Sequence, residues 1–378
     1  MRTSRSPANL AVLLLCAACL GGCVRSGASP PAEPAESPFS LMQPQPYRQF
    51  LEYEGADGAR LGCFYYPPLA DSNDVALIYL HGIESHSGWF DEPARALAAR
   101  GYAVYSLDRR GSGINRENRG FRSGDIADYE TPISDVEAFA RQVAIGQSRR
   151  VLIGLSWGGK LAMACALRRV EHFDALVLIT PGLKARVDLP LWSKARLFAA
   201  LAANPLQRFG IPIETAMFTP DPVWQERIER DSLRLRQATA RFFWESVQLD
   251  RWIEKNVRLN DLPILLFLAG RDRIVDNEAI IALLGRGGQE SLTIYNYRNR
   301  THSIQFEAPE QLVKDIDNWI QGANSPRPWE RGDAKEQGDE SERKTDRADH
   351  TQVGPSIRES HAGPRESATR QAPVASGE

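Results

Sequence analysis

The sequence predicts an α/β fold: a mostly parallel, doubly wound sheet interrupted late by a long insertion. Strand-like apolar runs alternate with helical segments through the middle of the chain. One of these runs ends in a serine between glycines and passes at once into a helix, and one connection is too long for a plain crossover.

In chain order, "QFLEYEGADGARLGCFYYPP" reads as an opening antiparallel pair. Parallel candidates follow, beginning at Val75, Ala103, Val151, Ala175, Ile264 and Leu292, with helical segments between them. The insertion covers about residues 184 to 260, between "LVLITPGL" and "DLPILLFLAG". It is rich in helix formers and aromatics, including Trp192, Phe198, Phe209 and Trp252, and any single one of these is read as packing within the insertion itself.

The junction "GLSWGG", residues 154 to 159, follows the strand candidate Val151 to Leu155 and precedes a helix from Lys160. A strand that becomes a helix within a few residues places the apex residue in a strained conformation. Gly154 and Gly158 let the two arms approach, so Ser156 projects its hydroxyl toward the free N–H groups of the helix start. A serine hydroxyl is a weak nucleophile at neutral pH. It needs a histidine to take its proton and a carboxylate to orient that histidine.

The chain has six histidines. Where such a serine turn is catalytic, acid and histidine follow it in that order. His81 and His86 precede Ser156, His172 follows it too closely, and His350 and His361 fall in a polar tail. His302, in "NRTHSIQFE", remains. For the acid, "PILLFLAGRDRIVDNE" offers a strand ending in glycine and then Asp272, with Asp276 as a rival better suited to cap a helix from Asn277. The developing oxyanion needs two placed donors. In "VALIYLHGIESHSGWF" the turn at His81 and Gly82 lets Ile83 offer its N–H, and Trp157 supplies the other; His81 itself is read as holding the loop.

The stretches "HGIESHSGWFDEPARALAARGYAVYSLDRRGSG", "GLSWGG", "FLAGRDRIVD" and "THSIQFE" resemble the monoacylglycerol lipase and lysophospholipase branch of the α/β-hydrolase superfamily, grouped with serine aminopeptidase-like hydrolases. The resemblance runs from about Tyr47 to Ile320. It implies Ser156 as nucleophile, Asp272 as acid, His302 as base, and the Ile83 and Trp157 N–H groups as oxyanion donors. It also implies that the late insertion is a helical cap over the site and that the turn at 108–113 is structural. Trp157 departs from the methionine more usual in these lipases, which bears on the shape of the acyl pocket.

Composition agrees with an ordinary globular domain: 42% hydrophobic residues, 25% charged and a net charge of −2. Nothing in it points to nucleic acid, no dinucleotide or P-loop fingerprint occurs, and histidines and cysteines are too scattered for a metal site. No cofactor and no metal are expected.

The termini read differently. In residues 1–23, Arg2 and Arg5 precede an apolar run from Leu10 to Leu20 that suits a signal-peptide core and is short for a bilayer span. The run closes in "LGGC", which resembles a bacterial lipobox with Cys23 as the lipid attachment site. An exported, membrane-anchored lipoprotein of the cell envelope is therefore expected, with a secreted or periplasmic protein as the alternative. Residues 24–46, rich in proline, serine and alanine, read as a linker and residues 47–322 as the folded domain. Residues 323–378 read as a disordered polar tail, because they hold too little apolar surface to offset ordering entropy. Cys63 and Cys165 remain in the domain, where buried free thiols are expected over a disulfide.

The chemistry expected is hydrolysis of a small-molecule or lipid carboxylic ester through an acyl-enzyme on Ser156. A lysophospholipase or monoacylglycerol lipase comes first, and a short-chain carboxylesterase or thioesterase second. An aminopeptidase ranks lower, for want of an acidic cluster to hold a free amine, and serine in place of aspartate at the turn excludes a haloalkane dehalogenase. The alternative outside enzymes is a catalytically inactive, membrane-tethered binding protein.

Overall fold

The structure, a computed structural model, describes residues 45–142, 149–168, 172–287, 292–322 and 357–359. Cys23, the expected leader, the linker up to residue 44 and nearly all of the polar tail lie outside the described residues.

The chain opens with β1 (Gln49–Glu54) and β2 (Arg60–Tyr66), then β3 (Val75–Leu80), α1 (Asp91–Ala98), β4 (Ala103–Leu107) and α2 (Glu130–Gln142). Next come β5 (Arg149–Leu155), α3 (Trp157–Arg168) and β6 (Ala175–Ile179). The insertion follows as α4 (Leu191–Ala203), β7 (Arg208–Gly210), α5 (Thr215–Phe218), α6 (Pro222–Arg230), β8 (Gln237–Thr239) and α7 (Ala240–Asn256). The chain closes with β9 (Ile264–Ala269), α8 (Asn277–Leu284), β10 (Leu292–Tyr297), α9 (Ile304–Glu307), α10 (Pro309–Gln321) and β11 (Ile357–Glu359).

Among the described residues a nine-stranded sheet forms in the order β1-β2-β4-β3-β5-β6-β9-β10-β11. β2 pairs antiparallel with β1 and β4, and every later pairing is parallel. The central strands read as unbroken apolar runs because both faces are covered. Along β3, Ala76 and Ile78 pack in the layer that holds Phe139 of α2 and Leu161 of α3, while Leu77 and Tyr79 pack in the layer that holds Leu97 of α1 and Ile316 of α10. This is the α/β-hydrolase arrangement.

The insertion is largely helical, with one addition: β7 and β8 pair antiparallel as a ribbon of three residues a side. Strands so short show no periodicity that a sequence reading could catch. α7 is capped by Thr239, whose hydroxyl accepts from the Phe242 N–H at 3.1 Å, and it buries Phe242, Leu249 and Ile253 along one stripe. The insertion's aromatics divide: Phe209 and Phe242 are buried, while Trp192 and Phe198 remain exposed. Within the segment read as a polar tail, Ile357–Glu359 add to the edge of β10, whose backbone groups would otherwise lack a partner strand. Cys63 and Cys165 are buried free thiols. No helix among the described residues is long and apolar enough to cross a membrane.

Candidate active site

The turn between β5 and α3 puts Ser156 at φ +53°, a conformation costly for a residue with a side chain and kept only where the surroundings impose it. They do so through hydrogen bonds. The Ser156 N–H donates to Ile179 O at 3.0 Å, and Ser156 O accepts from Gly159 N at 2.9 Å and Gly182 N at 2.7 Å. The flanking glycines are sterically required. A Cβ on Gly154 would lie 2.5 Å from Gly158 O, and one on Gly158 would lie 2.0 Å from Leu80 O.

Asp272 follows β9 and His302 follows β10, so both arrive at the carboxyl ends of parallel strands, where crevices form in such sheets. His302 Nδ1 meets Asp272 Oδ2 at 2.8 Å, and both side chains are fully buried. Asp272 Oδ1 accepts from the N–H groups of Ile274 (2.7 Å) and Val275 (3.0 Å). Burial alone would raise its pKa, but the His302 ring and these two donors bring it below the ordinary carboxylate value. His302 Nε2 is buried and has no hydrogen-bond partner among the described residues. Thr180, directly after Ile179, donates from its hydroxyl to His302 O at 2.9 Å, so adjacent residues hold the serine turn and the histidine loop at one end of the sheet. Asp276 does something else: it accepts from the Ala279 N–H at 3.1 Å and caps α8.

The His81 loop runs beside Ser156, since a Cβ on Gly82 would lie 3.2 Å from Ser156 Cβ. Ile83 and Trp157 line the same cavity as Ser156, and neither backbone N–H meets an acceptor among the described residues. His81 Nδ1 lies 2.8 Å from Gly82 O. Burial, helped by neighbouring Arg109, holds its ring well below the ordinary imidazole range, so His81 is neutral. The cavity, of about 540 Å³, is roofed by the insertion through residues such as Leu197, Phe198, Ile213, Phe243 and Val247.

Several partners at this site escape a sequence reading. Lys160, one helical turn after Ser156 on α3, is buried on the cavity wall, where its Nζ donates to Ser246 Oγ at 3.0 Å and pairs with Asp250 at 2.7 Å, both on α7. Trp157 Nε1 donates to the same Ser246 hydroxyl at 3.0 Å. Glu84 and Arg234 form a buried ion pair at 2.7 Å, and His86 Nε2 meets Asp231 at 2.8 Å. These contacts tie α3 and the loop after β3 to the insertion. The i, i+4 spacing from Ser156 was the one available signal, and it concerned Lys160. Among the described residues no cluster of histidine, cysteine and acidic side chains could hold a metal ion.

A family model described as serine aminopeptidase, S33, matches residues 71–309. The chain belongs to this S33 family. As a member it is a serine hydrolase with the α/β-hydrolase fold. The S33 chain is 26% identical over 297 residues to the human monoglyceride lipase, covering 75% of this chain and 94% of that one. It is also 26% identical over 285 residues to the monoacylglycerol lipase of Mycolicibacterium smegmatis, covering 71% and 95%. Among solved structures, a soluble variant of the Saccharomyces cerevisiae monoglyceride lipase superposes with a TM-score of 0.62 at 17% identity, covering 71% of this chain and 94% of that one. The Paleococcus ferrophilus monoacylglycerol lipase gives 0.60 at 17%, covering 72% and 97%. At that identity the superpositions speak to the fold.

Proposed function

We propose that this S33 hydrolase is an ester hydrolase of the monoacylglycerol lipase type, acting through an acyl-enzyme on Ser156. The observation that carries the reading is the His302 ring: its Nδ1 is held by Asp272, and its buried Nε2 lacks a partner at the sheet end where Ser156 stands. His302 Nε2 takes the Ser156 proton as the oxygen attacks the ester carbonyl, while the Ile83 and Trp157 N–H groups receive the oxyanion. His302 then gives that proton to the departing alcohol. Water enters, gives a proton to His302 and attacks the acyl-enzyme, and the same proton returns to Ser156 as the acid leaves.

The mostly apolar roof and a volume within the roughly 300–1,000 Å³ of small-ligand pockets suit an acyl chain, in keeping with the substrates named for the lipase relatives. Release of an amino-terminal residue is disfavoured. Among the described residues each acid on the wall has a lysine partner, Asp250 with Lys160 and Asp188 with Lys194, and no acidic cluster faces the cavity to hold a free ammonium. We also propose, from the leader pattern, that the chain is exported and lipidated on Cys23. Cys23→Ala is then expected to move the protein from the membrane fraction to the soluble one, and unchanged fractionation counts against lipidation.

The enzymatic reading is tested with p-nitrophenyl esters from two to sixteen carbons, using the full chain in detergent beside Ser156→Ala. Turnover that peaks at long chains and vanishes in Ser156→Ala is the expected result. A peak at the shortest esters reassigns the enzyme as a carboxylesterase, and turnover that persists without Ser156 overturns the nucleophile.

A further inference from the structure

We infer that Arg109 is a positioning residue for the oxyanion site, setting the direction of the Ile83 N–H and bracing Trp157 from beneath. The inference rests on the roles proposed above for Ile83 and Trp157.

The side chain of Arg109, directly after Asp108 beyond β4, is buried. Its guanidinium donates through Nη1 to Gly82 O at 2.8 Å and through Nη2 to Ile83 O at 2.5 Å. The Gly82 carbonyl belongs to the same peptide unit as the Ile83 N–H. No cis peptide bond occurs among the described residues, so the two groups point in opposite directions across that plane. Holding Gly82 O therefore fixes the Ile83 N–H in the opposite direction, away from Arg109, on a residue that lines the same cavity as Ser156. His81 assists. Its Nε2 accepts from the Arg109 main-chain N–H at 3.3 Å, and its Nδ1 lies 2.8 Å from Gly82 O and 3.0 Å from Arg109 Nη1, so the ring packs against both the guanidinium and that carbonyl. The carbonyl thus takes a charged donor. That polarises the peptide and strengthens its N–H as a donor.

The same guanidinium lies 4.9 Å from the centroid of the Trp157 ring and 5.6 Å from that of Phe242, so one cation holds the peptide that carries the Ile83 N–H and also braces the Trp157 ring. Burial lowers the Arg109 pKa to about 9, with Asp108 opposing, and the group remains charged at neutral pH. A buried charge is expensive to keep and asks for a reason. Placement of transition-state donors supplies one that a merely structural role does not.

The test compares wild type, Arg109→Gln, Arg109→Lys and Ser156→Ala as full chains in detergent. Active sites are counted by fluorophosphonate titration, so that loss of folded protein is not read as loss of chemistry. Per active site, Arg109→Gln is expected to lose kcat on the order of 10²-fold, the scale of one oxyanion donor, with KM changed less than about threefold. Inhibition by an alkyl trifluoromethyl ketone, which places an oxyanion at the site, is expected to weaken by a similar factor, and binding of the matching alcohol is not. Arg109→Lys keeps the charge but reaches one carbonyl, and it is expected to recover part of the loss. Wild-type kcat per site in Arg109→Gln, or a loss confined to KM or to the number of active sites, overturns the inference. Should Arg109→Gln fail to fold, Arg109→Lys is read by the same criteria, with a kcat loss at unchanged KM as support and wild-type kcat as refutation. Turnover that survives in Ser156→Ala instead refutes the underlying reading, a result separate from either.

Discussion

His302 with Asp272 and His86 with Asp231 are both buried histidine–aspartate pairs, 2.8 Å apart in each case. Their acids are braced alike. Asp272 accepts from two main-chain N–H groups, and Asp231 accepts from Leu233 N at 2.9 Å and Trp89 Nε1 at 2.7 Å. The pairs differ in which ring nitrogen the acid holds. Asp272 takes Nδ1 and leaves Nε2, at the far end of the ring, without a hydrogen-bond partner among the described residues. At His86 the Gly88 N–H donates to Nδ1 at 3.1 Å and Asp231 takes Nε2, so both nitrogens are committed to structure. A histidine beside a carboxylate is therefore no mark of a base until the second nitrogen has been accounted for.

This contrast can be broken by substitution. The largest effect is expected at Asp272→Asn, which favours the wrong His302 tautomer: a loss in kcat on the order of 10⁴-fold with an unchanged melting temperature. Asp231→Ala is expected to do the reverse. It removes the buried carboxylate that His86 and Trp89 meet, costs about 3 kcal/mol in urea denaturation, and leaves kcat per active site within a few-fold. If the two variants lose activity equally, the pairs are not functionally distinct.

The smallest effect concerns Glu84, whose carboxyl is raised to about 7 by burial, against the opposing pull of Arg234. Between the unfolded value near 4.5 and that folded value, the folded chain keeps a proton the unfolded chain has lost. Stability therefore falls as pH rises through that window. Glu84→Gln is expected to flatten the melting temperature between about pH 4.5 and 7, and a slope equal to wild type would show that Glu84 does not titrate there.

What the sequence made legible follows the range of the forces involved. The central strands are long apolar runs with two covered faces, so Val75–Leu80 and Ile264–Ala269 could be located from composition alone. The serine turn was legible because its geometry demands glycine at fixed positions, Asp272 because it follows a recognisable strand, and His302 because chain order and position excluded the other five histidines. Lys160 with Asp250 and Glu84 with Arg234 were not legible, since they form only where the insertion docks. Before docking is known, a lysine on a helix and an arginine in a loop read as solvated charges. Arg109 was hidden for a related reason: it donates to the main-chain carbonyls of Gly82 and Ile83, which any residue type carries, and meets the Trp157 and Phe242 rings only where α3 and the insertion come together.

The glycines around Ser156 also determine where this protein can change. A saturation scan read by abundance would show near-empty columns at Gly154 and Gly158, because even alanine meets backbone atoms there. Columns for insertion residues on the cavity wall, such as Phe198 and Val247, both partly exposed, would stay populated. Heritable variation is thereby channelled away from the chemistry and into the roof. New acyl preferences can then arise by single exchanges in the insertion, while the reaction itself is inherited intact.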